Sequence, residues 1–281
     1  MMTRCSLGSL LLLPALASAC AGSFSASDLA DAGGSSSPSA DTPAAQPPPS
    51  PYTGAPVVYA HSASELYRVD ATSLAVTLVG AFAWPSGPDQ MTDIALDRNG
   101  KMTGISFNTV YSVDPKTAAC TFLAPLQGPA GVSAYNGLSY IAVQAADAKE
   151  VLVASAADGS LYEIDPVTGH SKPVGVFGGG LGSSGDLVSV KGLTLTTVER
   201  GDGQNDWLAR VDPLTGQATL IGDTGFEAVW GLGFWGDKVY GFTQGRQLIL
   251  IDPSTGKGTQ TATSAASFWG AGVTTSAPVI E

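Results

Sequence analysis

Short runs of alternating apolar and polar residues recur along the chain, each ending in the same kind of turn. The runs are Leu66-Tyr67-Arg68-Val69, Val110-Tyr111-Ser112-Val113, Leu161-Tyr162-Glu163-Ile164, Leu208-Ala209-Arg210-Val211 and the fully apolar Leu248-Ile249-Leu250-Ile251. Four-residue runs rich in Val, Ile and Tyr, bounded by turn signals, are too short for helices and predict strands. After each run comes an Asp. Asp252-Pro253-Ser254-Thr255-Gly256, Asp212-Pro213-Leu214-Thr215-Gly216 and Asp165-Pro166-Val167-Thr168-Gly169 are close copies. Asp114-Pro115-Lys116-Thr117-Ala118 is a degraded one, and Asp70-Ala71-Thr72-Ser73 a remnant. Asp can accept backbone N–H bonds within such a turn, Pro presets φ, and Gly supplies a positive φ. The chain then returns, as in Ala75-Val76-Thr77-Leu78-Val79 and Gln217-Ala218-Thr219-Leu220-Ile221, so every copy is a hairpin.

A second hairpin precedes each of these. Ile94-Ala95-Leu96-Asp97 and Met102-Thr103-Gly104-Ile105 flank an Asn99-Gly100 turn. Gly231-Leu232-Gly233-Phe234-Trp235 and Val239-Tyr240-Gly241-Phe242-Thr243 flank Gly236-Asp237-Lys238. The Asp positions are 44, 51, 47 and 40 residues apart. Four strands per interval of this length predict an all-β fold, a β-propeller with five blades. The first hairpin is preceded by a single strand, Pro56-Val57-Val58-Tyr59-Ala60. The missing innermost strand is expected from Phe268-Trp269-Gly270-Ala271-Gly272-Val273-Thr274, which parallels Val229 to Trp235. A composite blade from both ends would close the ring and remove its open edges.

Composition agrees and narrows the function. The chain of 281 residues is 44% apolar and only 13% charged, with 35 Gly and 18 Pro, enough for a ring of small cores between blades. A net charge of −11 without a basic cluster argues against nucleic acid as partner. Residues 1–19 read as a signal peptide, with Arg4 as the positive region, Leu7 to Leu16 apolar, and Ala17-Ser18-Ala19 as the cleavage site. Residues 20–54 are dominated by Ala, Gly, Ser, Pro and Asp and predict a disordered linker. The propeller is placed at residues 55–277.

Cys20 directly after Ala17-Ser18-Ala19 resembles a bacterial lipoprotein signal. That resemblance implies lipid on Cys20, a membrane anchor, and sorting to the outer membrane, since Ala21 rather than Asp follows. The family usually has Leu three before the Cys, where this chain has Ala17, and ordinary secretory cleavage is the alternative. Over residues 55–277 the chain resembles extracytoplasmic bacterial β-propeller repeat proteins with Asp-Pro-x-Thr-Gly turns. Propellers host binding, scaffolding and catalysis alike, so the resemblance implies fold more than function.

No catalytic constellation stands out, and no metal or cofactor is expected. His170 lies in a turn and reads as solvated, while His61 is the one histidine able to serve a nucleophile. Gly180-Leu181-Gly182-Ser183-Ser184-Gly185 spells a dinucleotide fingerprint, but a strand follows where a helix is required, so it reads as an inter-blade loop. Arg200 to Asp206 reads as a solvated loop whose oxygens lack the spacing of a calcium loop. Cys120 reads as a small core residue.

Aligned by repeat, Thr92, Asn136, Gly185, Trp230 and Trp269 form one ring, and Asp93, Gly137, Asp186, Gly231 and Gly270 the next. Asp93, Asn136, Asp186, Trp230 and Trp269 are therefore the candidate ligand-binding residues, for a carbohydrate or an envelope protein. The alternative for the indoles is wedging between blades. Two functions compete: a non-catalytic binding or scaffold module, and an envelope hydrolase or lyase with Asp93, Asp186 or Glu227 as acid and base.

Overall fold

In the computed structural model, which describes residues 54–128, 134–142 and 149–279, the expected strands form five antiparallel four-stranded sheets. The expected signal segment, Cys20 and nearly all of the expected linker lie outside the described residues. One blade holds β1 (Val57–His61), β2 (Glu65–Asp70) and β3 (Val76–Ala81). The next runs β4 (Met91–Leu96), β5 (Met102–Ser106), β6 (Thr109–Val113) and β7 (Cys120–Pro125). The third runs β8 (Tyr135–Ala142), β9 (Glu150–Ala156), β10 (Ser160–Ile164) and β11 (Ser171–Val176). The fourth comprises β12 (Ser183–Val190), β13 (Leu193–Val198), β14 (Trp207–Val211) and β15 (Ala218–Asp223). The fifth comprises β16 (Val229–Trp235), β17 (Lys238–Thr243), β18 (Gln247–Ile251) and β19 (Gly258–Thr263). Finally β20 (Gly270–Gly272) pairs with β1 and completes the first blade. The innermost strands then neighbour one another around a closed ring: β4, β8, β12, β16, β20 and back to β4. This is a five-bladed β-propeller.

The repeated turns fold as their residues dictate. Oδ1 of Asp70, Asp114, Asp165, Asp212 and Asp252 each accepts the N–H two residues on, at 2.8–3.0 Å. The fifth turn residue is left-handed in all five copies, with φ between 60° and 77°. Gly169, Gly216 and Gly256 take that conformation at little cost, whereas Leu74 and Ala118 occupy it with side chains attached. These turns also join blades: Gln127 N–H donates to the Gly169 carbonyl and Ser171 N–H to that of Gln127.

The apolar residues assemble into four clusters, and each bridges neighbouring blades. Phe82 and Leu66 meet Met91, Met102 and Tyr111 between the first two blades. The largest cluster joins the fourth, fifth and first blades through Leu208, Phe242, Phe268 and Val58. The outermost strand β19 is polar and mostly exposed, a usual defence of a sheet edge, whereas β3, β7 and β11 leave Leu78, Phe122 and Val176 exposed. On the face carrying the short turns, residues 274–279 form a cap beyond the expected last strand. Thr274 and Ser276 hydroxyls donate to the carbonyls of Asp97 and Arg98, Thr275 bonds the Glu150 carboxylate, and Gly236 N–H donates to Pro278 O. The cap therefore ties together the second, third and fifth blades.

Candidate functional site

The first ring expected from the repeats is real, and a backbone irregularity creates it. Each of β4, β8, β12 and β16 carries a bulge near its start, at Thr92, Asn136, the segment Ser184 to Asp186, and Trp230. A bulged residue leaves the ladder and its side chain is re-aimed. Here the bulged positions turn toward one cavity, together with Trp269, just before β20. Thr92, Tyr135, Asn136, Ser184, Gly185, Glu199, Trp230 and Trp269 line this cup of about 320 Å³. Trp230, Trp269 and Asn136 are half-buried, Thr92 and Ser184 are buried, and Glu199 is exposed. The two indoles thus face the cup instead of being sunk between blades.

Beneath the cup the axis is closed. Asp93 and Asp186, expected to offer carboxylates to a ligand, are both 0% exposed and do not line it. Their work is internal. Asp186 Oδ1 accepts Leu187 N–H at 2.6 Å, while Oδ2 accepts Leu232 N–H at 2.9 Å and Ala271 N–H at 3.0 Å, joining three blades. Asp93 Oδ1 accepts Ile94 N–H at 2.8 Å and lies 3.3 Å from His61 Nε2. Oδ2 of Asp93 is buried with no partner. Glycine makes this closure possible: a Cβ on Gly270 would fall 2.2 Å from Asp93 Oδ1, and one on Gly185 2.6 Å from the Trp230 backbone.

The proton inventory of this core follows from its contacts. His61 Nδ1 lies 2.9 Å from the Ser62 carbonyl, so Nδ1 carries the hydrogen. Burial pushes His61 down to about 4, which keeps the ring neutral at pH 7 and leaves Nε2 an acceptor. Burial raises both Asp93 and Asp186 well above the usual carboxylate range, and a charge on either one pushes the other up further. We assign the proton of the pair to Asp93, because Asp186 accepts three backbone N–H groups while Asp93 accepts that of Ile94 and has the acceptor Nε2 of His61 beside it.

Other expected residues fall as follows. Glu227 is exposed and stands outside the cup lining, so among the described residues no two carboxylates face each other across it. His170 is exposed and Cys120 is a buried core residue, its thiol pushed up to about 12 by burial. His61 contacts no nucleophile in the hydrogen bonds it makes. The glycine-rich run is only half a loop, since Ser183, Ser184 and Gly185 open β12. Asp206, expected to be solvated, is buried: Oδ2 accepts the Ser184 hydroxyl at 2.5 Å and Val229 N–H at 2.7 Å. Burial lifts it to about 6 against those two bonds. Glu199 and Ser184 were passed over in the sequence. The signal was available, because Glu199 opens the long polar connection between β13 and β14, on the face the cup occupies.

No protein-family model and no curated protein matches the chain. Among solved structures it is similar to the computationally designed Ika8 protein, at 15% identity and a TM-score of 0.38, over 78% of this chain and 63% of that one. The designed Ika4 protein is similar at 19% identity and 0.31, over 51% and 79%. A protein of unknown function from Bacteroides caccae is similar at 9% identity and 0.41, over 78% and 98%. Likenesses this distant add nothing to an architecture already visible in the sheets.

Proposed function

We propose that this protein is an exported, non-catalytic binding module of the cell envelope that holds its ligand in the cup at the propeller mouth. The observation that carries this reading is the pair of partly exposed indoles, Trp230 and Trp269, lining the cup over a floor that is buried and hydrogen-bonded. Large apolar side chains left open in a concave site usually await a partner. Binding is favoured over catalysis because, of Asp93, Asp186 and Glu227, the acid and base candidates of the enzyme reading, the two aspartates are sealed from the cup and Glu227 is not among its lining residues. The partner is an envelope protein or a carbohydrate ligand.

The test separates binding from folding. In Trp230→Ala and Trp269→Ala, capture of a partner from envelope extracts is expected to weaken by about 2 kcal/mol or more. Thermal and urea unfolding should change little, because neither indole is core. Loss of about 3–5 kcal/mol of stability in both would instead mark them as packing residues and end the proposal.

Localisation is part of the same proposal. Cys20, after Ala17-Ser18-Ala19, carries the lipid that holds the protein at the outer membrane, with residues 21–54 as the tether. Mass spectrometry of the mature N-terminus is expected to show acylated Cys20. An unmodified Cys20, or cleavage elsewhere, makes the protein a secreted one and leaves the cup untouched.

A further inference from the structure

The polar side chains of the cup spend their hydrogens on the protein itself. Thr92 Oγ1–H donates to the Ile105 carbonyl at 3.1 Å, and Ser184 Oγ–H to Asp206 Oδ2 at 2.5 Å. Asn136 Nδ2–H donates to the Ser183 carbonyl at 3.0 Å, and Tyr135 O–H to Ser171 Oγ at 2.8 Å. The two hydroxyls of the floor, on Thr92 and Ser184, are left with lone pairs to offer. Above them stands the exposed carboxylate of Glu199, and no Lys, Arg or His is among the described residues lining the cup. Arg200, next in sequence, is engaged elsewhere, 5.2 Å from the centre of the Trp207 ring. Glu199 and Glu227 both act on Asp206 through their charge, which is further sign of a negative field at this mouth.

Acceptor lone pairs, a carboxylate and two indoles all attract the same thing. A cation over an indole face is drawn to the negative face of the ring, more strongly once desolvated. Ammonium N–H groups in turn satisfy hydroxyl lone pairs and a carboxylate. A ligand with an anionic group would meet repulsion. A neutral sugar, which needs donors as well as acceptors, would find few hydrogens free on the cup's hydroxyls and amide. The volume of about 320 Å³ lies at the small end for ligand pockets and suits one side chain or a small amine. We propose that the cup takes an alkylammonium group, the cationic end of a lysine side chain or of a small amine. This rests on the cup being the binding site.

The experiment titrates the intact mature protein with Nα-acetyl-lysine amide, with Nα-acetyl-norleucine amide, which lacks only the ammonium, and with N-acetylglucosamine. Tryptophan fluorescence and calorimetry report binding. The lysine derivative is expected to bind saturably, with the norleucine derivative at least about tenfold weaker. Affinity should fall with added salt, and Glu199→Gln should lower it several-fold while flattening the salt dependence. Trp230→Ala should abolish the response. Equal binding of the lysine and norleucine derivatives, or tight binding of N-acetylglucosamine alone, overturns the ammonium assignment and keeps the binding site. So does silence of all three probes while the Trp variants still lose partner capture. Silence of all three with partner capture unaffected by the Trp variants overturns the binding module itself.

Discussion

A chain stopped after Ser267 is expected to lose cooperative unfolding and to aggregate, although fewer than one residue in ten of the propeller is removed. The missing segment does three jobs at once. Phe268 is fully buried against Tyr67 of the first blade and Phe242 of the fifth, ring centroids 5.8 and 5.2 Å apart. Removing a buried Phe alone costs about 3–5 kcal/mol. β20 covers the inner edge of β1, and its loss exposes a row of unpaired backbone groups to other chains. Ala271 N–H is one of the three donors to Asp186, and residues 274–279 clamp the inner turns. Each loss falls on a domain whose whole stability is on the order of 5–15 kcal/mol. Urea unfolding followed by circular dichroism and fluorescence checks this. A truncated protein with one unchanged transition would mean that the ring does not depend on its composite blade.

What the sequence makes legible divides along physical lines. Turn chemistry is local: Asp, Pro and a left-handed fifth residue act within five positions, so the five Asp turns place every outer hairpin correctly. Ring closure was readable because Phe268 to Thr274 repeats the pattern of Val229 to Trp235. The ring positions of Thr92, Asn136, Trp230 and Trp269 follow from the same register. Burial at the axis is a different kind of fact. Asp93 and Asp186 stand one residue beyond the cup-lining positions, and whether a residue there meets ligand or core depends on how close the glycines bring neighbouring strands. Gly137, Gly231 and Gly270, in the same ring as these aspartates, were the clue. A ring of three glycines and two carboxylates has room for the carboxylates only in the middle, among backbone N–H groups. The burial of Asp206 is not legible locally, because its partners, Ser184 and Val229, are 22 and 23 residues away. The tail cap carries no repeat signature at all.

The sealed carboxyl pair yields the second large effect, a contrast between two adjacent-looking substitutions. Asp186→Ala leaves the N–H groups of Leu187, Leu232 and Ala271 buried without an acceptor, and removes the anion beside a protonated Asp93. Buried unsatisfied donors cost about 1–3 kcal/mol each, and breaking such a cluster about 3–5 kcal/mol in all. Asp93→Asn is different, since a neutral carboxamide replaces a carboxyl that is already neutral, and a cost of about 1 kcal/mol or less is expected. The pH dependence gives the sign. Asp93 is raised in the folded protein, so the stability tied to its proton is fully present below the ordinary carboxylate range and drains away as pH rises toward the folded value. His61, at about 4 when folded, and Asp206, at about 6, titrate in both proteins and cancel in the difference between them. As pH rises from the ordinary carboxylate range through the folded value of Asp93, the wild type should lose up to about 1.4 kcal/mol per pH unit that Asp93→Asn keeps. The stability difference between the two proteins, followed by urea unfolding from about pH 4 to 9, should therefore shift in favour of Asp93→Asn as pH rises. A constant difference across that range, or a loss in Asp93→Asn as large as that in Asp186→Ala, would place the negative charge on Asp93 and overturn the proton assignment.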